Sequence, residues 1–361
     1  MSDATGDDRR SRFSAWSLLP VQQMLAKRLA GKSPQSLESV AEKTWVIAPE
    51  ETVACRPAIY LPHQLDRVTG WLFSSSEHPR SEIEAATAIH GATRGFLLKD
   101  AWLIDGTLYK GGASQYLSPR AGILPRIRAE HEFGRGAMYC SVGGNRYFGQ
   151  WLIDDCCTYS LVGDEGVPIT IDRPVYGHVQ AYMDLLGMKP TQVGSAYFRE
   201  LVIFDDVAHN HNKGLRFQAM RNRIRSGVDA PQHPGVFILR GAAGERRVLR
   251  NEIEIAELLR DRRGFRILDP LAADVPTILK SCAGARVVVG VEGSALSHGV
   301  AAMPAGAALL TLQPPNRFVS VFRARTEWSD QHFGFVVGFP DGEDFRIDPQ
   351  EVERTLDLFP S

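Results

Sequence analysis

From about residue 136 onward, short runs of Val, Ile and Leu alternate with longer amphipathic stretches, the rhythm of strand followed by helix. Ala137–Val142 reads as a strand and Tyr147–Leu161 as a helix. Val167–Ile171 is then a strand, His178–Leu186 a helix, Glu200–Phe204 a strand and Leu215–Arg225 a basic helix. Gly227–Gly235 holds two prolines and two glycines in nine residues and marks a domain boundary. Behind it the rhythm resumes. Val236–Arg240, Phe265–Leu268, Ala285–Val289 and Ala308–Leu312 read as strands, and Arg250–Arg262, Ile278–Cys282 and Ser294–Ala302 as helical. Apolar strands separated by helices predict parallel sheets covered on both faces, here an α/β chain with two Rossmann-like domains facing a cleft.

The first 135 residues follow a different pattern. Residues 44–135 alternate short apolar runs with turn residues, and Asp105-Gly106 predicts a hairpin turn after Gly95–Ile104. Between Ser14 and Ala30, Leu18, Val21, Leu25 and Leu29 recur at helical spacing, with Arg9, Arg10, Arg12, Lys27 and Arg28 around them. Such a helix packs on its own domain or lies on an anionic membrane surface. The division expected is an arm and amphipathic helix at 1–35, a first domain at 36–227, a second domain at 228–344 and a closing helix within 345–361.

Composition narrows the partners. The 361 residues carry 41 Lys and Arg against 42 Asp and Glu, which argues against a nucleic-acid binder but leaves room for a locally basic pocket. Five cysteines without a C-x-x-C pair read as reduced thiols. Residues 1–10 are polar and acidic where a signal peptide is basic and then apolar, and no long uncharged apolar run is present. A cytoplasmic protein is expected, the alternative for the basic helix being peripheral contact at the inner membrane.

The sharpest local feature is the strand from Arg286 that runs through Gly290 into Val291, Glu292, Gly293, Ser294 and Ala295. A small-residue turn at the carboxyl end of a parallel strand lets backbone N–H groups and a helix dipole meet an anion. The plainer alternative is a tight connection with Ser294 as helix cap. Glu292 is placed to accept from ribose hydroxyls, or is a turn residue. The spacing is neither the dinucleotide fingerprint nor a P-loop. Ser297, one residue away from a G-x-S-x-G frame, raises a serine-hydrolase reading. Arg240 ends a strand in the same domain, and Arg246, Arg247, Arg250, Asn251 and Glu252 follow. Guanidinium–phosphate contacts suit Arg240 and Arg247, while Asn251 and Glu252 also suit a helix cap. In the first domain, residues 143–155 again read as strand, glycines and helix start. Asp154 and Asp155 there are candidates for a general base, or surface residues that complement a helix dipole. Asp205-Asp206-Val-Ala-His209-Asn-His211 fits no standard metal site and reads as a polar loop.

Together these motifs resemble glycosyltransferase family 61, which includes bacterial capsular-polysaccharide biosynthesis proteins. The resemblance rests on Arg240, Arg247 followed by Asn251-Glu252, Gly264-Phe265, and Val287 to Leu296, with a fainter match at Tyr147 to Asp154. It covers residues 137–345 and leaves out the first hundred. Two positions depart from it: the frequent His-Gly of the donor loop is Glu292-Gly293, and the His before Trp151 is Gln150. The resemblance implies a GT-B architecture, in which 36–227 would bind the acceptor, 228–344 the nucleotide sugar, and the helix within 345–361 would cross back to the first domain, and an inverting glycosyltransferase that needs no metal or other cofactor. It would move a hexosyl or pentosyl group from a nucleotide sugar, a UDP-sugar for preference, to a saccharide or glycan acceptor. Asp154 or Asp155 would be catalytic. Arg240, Arg247, Asn251, Glu292, Gly293, Ser294, Ala295 and His298 would bind the donor, with Asn145, Gln150 and Trp151 on the acceptor side. The two departures also fit a catalytically altered nucleotide-binding protein derived from such an enzyme.

Overall fold

The computed structural model describes residues 15–31, 33–73, 80–119, 125–172, 177–241 and 244–360. Helix α1 (Leu19–Ala30) precedes an eight-stranded mixed sheet formed by β1 (Lys43–Ala48), β2 (Thr93–Ile104), β3 (Thr107–Lys110), β4 (Ala113–Tyr116), β5 (His131–Met138), β6 (Val167–Ile171), β7 (Thr191–Val193) and β8 (Ser195–Asp205). The order is β7-β6-β5-β8-β2-β3-β4, with β1 also paired to β2. β7, β6, β5 and β8 run parallel, and β8-β2-β3-β4 antiparallel. This half is therefore not the parallel Rossmann-like unit expected. The β2–β3 turn forms as predicted, with Asp105 and Gly106 at φ 51° and 71°, the left-handed pair that tight hairpins use.

One strand boundary also moves. The strand expected at Ala137–Val142 instead runs from His131 to Met138, and Ser141 opens a short helix at Val142–Arg146 by accepting a hydrogen bond from Gly144 N. Gly136 conceals the strand in the sequence. A Cβ there would lie 2.9 Å from the Phe198 ring, so glycine is the residue that close strand packing allows.

After β5 comes the helical run α2 (148–159), α-helical at each end and π-helical over Trp151–Asp155. Then follow α3 (Val179–Leu186) and α4 (His211–Arg225), the latter capped by the Asn210 side chain on Lys213 N at 3.0 Å.

The second half matches the predicted alternation closely. Strands β9 (His233–Ile238), β10 (Arg266–Leu268), β11 (Ala285–Val291), β12 (Ala308–Gln313) and β13 (His332–Val337) form a parallel sheet in the order β10-β9-β11-β12-β13. Helices α5 (Glu252–Arg263), α6 (Val275–Ala283), α7 (Leu296–Ala302), α8 (Phe322–Glu327) and α9 (Pro349–Leu356) accompany it. Strand order reverses between β9 and β11, and the crevice at the carboxyl ends of those strands is where open α/β sheets bind ligands.

Three apolar clusters hold the layers. One lies on a face of the first sheet around Leu98, Leu103, Phe198 and Leu201. Another lies between the second sheet and α5 and α9, around Phe237, Leu259, Leu310 and Val352. The largest is common to both halves, joining Trp151, Leu152, Tyr182 and Phe217 to Ile238, Ile278, Val288 and Val300. Residues 59–71, assigned by position to the first half, run along the second sheet: Ile59 bridges to Gly334 and Trp71 to Phe318. The closing helix α9 packs on β13 and α5. Its Glu351 accepts from Arg67 (2.6 Å) and Gln64 (3.1 Å) of that same segment.

Gly290 sits where β11 passes β9 beside the crevice. A Cβ there would fall 2.6 Å from the Ile238 carbonyl oxygen and 2.9 Å from Leu296. Gly290→Ala is expected to destabilise the fold by about 1–3 kcal/mol through overpacking, read as a lower urea midpoint with an unchanged slope.

Candidate functional site

The crevice is lined from both halves. From the second sheet, β9 leads to Arg240, and β11 leads to Glu292 and Gly293. Glu292 is 5% exposed, and its carboxylate meets Arg247 at 3.0 Å. Arg240 and Arg247 close over Gly293. A Cβ on Gly293, at φ 156°, would lie 2.3 Å from Arg240 and 3.2 Å from Arg247. Burial and the neighbouring Arg247 pull Arg240 down to about 10, so it remains a cation at neutral pH. Its guanidinium donates to the Glu245 carbonyl (2.7 Å) and makes no ion pair among the described residues. The Glu252 carboxylate instead takes the backbone N–H groups of Arg240 and Gly241 at 2.7 and 2.8 Å, which shapes the turn. Burial raises Glu292 above the usual glutamate range despite Arg247 and Arg240.

Across the crevice stands the start of α2. Gly149 is pressed against the opposite turn, where a Cβ would sit 2.7 Å from Ser297 Oγ and 3.0 Å from Ser294 Cα. Gln150, Tyr147, Gly293, Ser294, Ser297 and Arg325 line the narrow pocket at this contact. The Gln150 Oε1 and Ser297 Oγ atoms are buried there without a hydrogen-bond partner among the described residues. A wider cleft of about 290 Å³ adjoins it, bounded by Trp71, Arg246, Arg247, Asn316, Arg317 and Asp344. Arg247 and Arg317 belong to both spaces. Glu245 spans the mouth, accepting from Tyr147 (2.7 Å), Arg146 (2.8 Å) and Arg317 (2.5 Å). Burial and Glu245 push the Tyr147 hydroxyl up to about 12.

Several residues proposed from the sequence lie elsewhere. Asp154 projects from the π turn into a cation pair, with Lys213 of α4 at 3.0 Å and Arg325 of α8 on its other oxygen. Burial alone would raise its pKa, but Arg325 and Lys213 outweigh that and hold it well below the carboxylate range. A carboxylate so stabilised is a poor proton acceptor, so the base role does not fit it. Asp155 does not fit either: it is 1% exposed and accepts from Ser141 Oγ (2.7 Å) and Ser141 N (3.2 Å), fixing the glycine turn. Asn145 donates to Leu117 O, and Trp151 is wholly buried in the shared core, so neither faces an acceptor. Asn251 ties α5 to Ile347 through two hydrogen bonds rather than lining the crevice. His298 is 2% exposed and bonds Tyr182 at 2.7 Å, enclosed by the rings of Phe148, His178 and Tyr182. Burial lowers it to about 3, which keeps it neutral. Ala295 stands at the start of α7 beside the lining residue Ser294. Ser297 lies inside α7, and the adjacent His298 turns to Tyr182, so no nucleophile–base pair forms for a hydrolase.

Sequence reasoning missed Lys213, Arg317, Arg325 and Glu245, and marked Tyr147 only as the edge of a motif. The basic helix around Leu215–Arg225 was the available signal. Its Lys213 is 1% and its Arg221 6% exposed, and Arg221 donates to the carbonyl of Val300 in α7 (3.1 Å), where a helix end favours cations. In the 205–211 loop, Asp206 is held by Arg216 at 2.6 Å, as suits the polar-loop reading.

A family model described as Glycosyltransferase 61 matches residues 116–310, more than half of the chain. The match runs from the end of β4 into β12 and includes the start of α2 and the turn after β11, while Trp71, Arg317, Arg325 and Asp344 lie outside it. It begins earlier and ends earlier than the sequence motifs suggest. No curated protein matches the chain.

Asp154→Asn leaves Lys213 and Arg325 without their counter-charge and is expected to cost about 3–5 kcal/mol at pH 7. The folded carboxyl titrates below its unfolded value of about 3.9, so its contribution is complete above that pH and is lost as the pH falls toward the folded value. Urea unfolding at pH 7 and pH 3 therefore shows the gap between the two proteins narrowing in acid.

Proposed function

The chain belongs to glycosyltransferase family 61, and from that premise we propose that it is an inverting enzyme of glycan assembly. It moves a sugar from a nucleotide-sugar donor to a saccharide acceptor, in the manner of the bacterial capsular-polysaccharide type, inside the cytoplasm. The observation that carries the reading is the pair Arg240 and Arg247 over Gly293, at the point where strand order reverses. Arg247 is neutralised by Glu292, and Arg240 is a desolvated cation without a carboxylate on its guanidinium. A donor diphosphate supplies that missing charge, helped by Arg317 and by the backbone N–H groups of Gly293–Ala295. The wider cleft beside Trp71, about 290 Å³, has room for a nucleoside; the sugar lies toward the pocket at Gln150, which is about 40 Å³ here and must open to admit it. A UDP-sugar is the donor favoured.

In this reading the two halves act as the lobes of a GT-B enzyme. An acceptor hydroxyl entering past Tyr147 and Gln150 attacks the anomeric carbon. The bond from that carbon to the phosphate oxygen breaks, and the nucleoside diphosphate leaves onto the guanidinium groups, so the reaction draws on arginine charge and not on a metal ion. Glu292 takes the acceptor proton. It lines the pocket, and burial makes it a stronger base than an ordinary glutamate, whereas two cations make Asp154 a weaker one. Gln150 positions without titrating.

A second reading, a nucleotide-binding protein that has lost transfer activity, draws on the locked Asp154 and on Gln150. Turnover of a nucleotide sugar with any acceptor excludes it. Arg240→Ala is expected to weaken UDP binding about 10- to 100-fold in calorimetry, the effect of losing a charge-assisted contact; unchanged affinity refutes the phosphate role. Glu292→Gln is expected to lower kcat by about 10²–10⁴-fold, and a retained rate assigns the proton transfer to another group.

A further inference from the structure

Helix α1 sits apart from the crevice, against β3, with Gln23 donating to the carbonyls of Gly111 and Ala113 at 3.2 and 3.0 Å. Pro20 is buried and Gln23 half-buried, so that side faces the sheet. At 100° per residue, Leu18, Gln22, Leu25 and Leu29 fall on one stripe nearly opposite it. That stripe is not covered: Leu18 is 60%, Leu25 45% and Leu29 83% exposed. Trp16, just before the helix, is 65% exposed and pairs in register with the exposed Arg128. Exposed leucines and a tryptophan grouped in one short segment are uncommon on a surface that faces only water.

The charge of the same segment selects the partner. From Arg9 to Leu37 the chain has no acidic residue and six basic ones, Arg9, Arg10, Arg12, Lys27, Arg28 and Lys32, in a protein whose formal charge is −1. Of these, Lys27 and Arg28 lie on α1 and are exposed. An apolar stripe on a segment rich in basic and free of acidic residues matches an anionic lipid surface: the leucines and Trp16 enter the headgroup boundary, Arg28 stands beside the stripe to meet the phosphates, and Lys27, on the far side of α1, adds to the positive potential. We propose that α1 with Trp16 docks the protein on anionic membranes. No helix among the described residues is long and apolar enough to cross a bilayer, so the contact is peripheral. The inference does not depend on the transferase reading.

The full chain is tested by co-sedimentation with vesicles of phosphatidylcholine containing about 30% phosphatidylglycerol, which gives them a negative surface potential, with pure phosphatidylcholine vesicles alongside. Binding to the anionic vesicles alone is expected, declining as salt is raised. Leu25→Glu/Leu29→Glu removes the binding, and Lys27→Gln/Arg28→Gln weakens it about thirtyfold. Both variants change exposed side chains, so circular dichroism, the melting temperature and UDP affinity stay at the wild-type values. No sedimentation with anionic vesicles overturns the proposal, as does equal binding to neutral ones or undiminished binding by the leucine variant. A wild-type dimer that the leucine variant converts to a monomer also overturns it, since the stripe is then a contact between two copies of the chain.

Discussion

The carboxylate of Asp154 fixes how the two halves meet. It reaches from α2 to Lys213 of α4 and Arg325 of α8, beside the apolar cluster that the two halves share. Buried charges are tolerated only when paired, so the three helices have little freedom to rotate or separate without stranding an ion. With α2 held in this way, Gly149 lies against Ser294 and Ser297, and the narrow pocket exists because that contact is so close. The π turn over Trp151–Asp155 contributes as well, since its extra residue changes which side chains α2 directs toward the seam.

The same arrangement separates the carboxylates by task. Asp154 and Asp155 are acidic residues at the start of a helix that faces the crevice, yet both are consumed in holding the structure, one by cations and the other by Ser141. Glu292 is also paired, but with a single guanidinium and in a more desolvating place, so its basicity moves the other way. Environment, not residue type, decides which carboxylate is fit to accept a proton. Arg240 and Arg247 show a parallel division: one balances Glu292, and the other keeps its charge available to the crevice.

Much of this was legible in the sequence. The parallel sheet of the second half follows from apolar runs at regular spacing, and the observed β9, β11 and β12 lie within a few residues of the segments read as Val236–Arg240, Ala285–Val289 and Ala308–Leu312. The turn after β11 and the Arg240–Arg247 pair were also visible, because close backbone approach and phosphate recognition demand particular residue types at short spacing. The first sheet was less so. Gly134 and Gly136 hide β5, and antiparallel pairing between β2 and β8, about a hundred residues apart, leaves no local trace.

What the sequence by itself determined is therefore local: helix and strand periods, the Asp105-Gly106 turn, the family motifs, and a near-neutral charge that disfavours a polyanionic partner. The tertiary structure decided which of the marked residues reach the crevice. It buried Trp151 and His298, locked Asp154 with Lys213 and Asp155 with Ser141, and brought Arg317 and Arg325 to the crevice from a segment that carries no motif. The physical reason is distance along the chain. A hydrogen bond within a turn is encoded by its neighbours, whereas the pairing of Asp154 with Arg325, 171 residues away, depends on every layer packed between them.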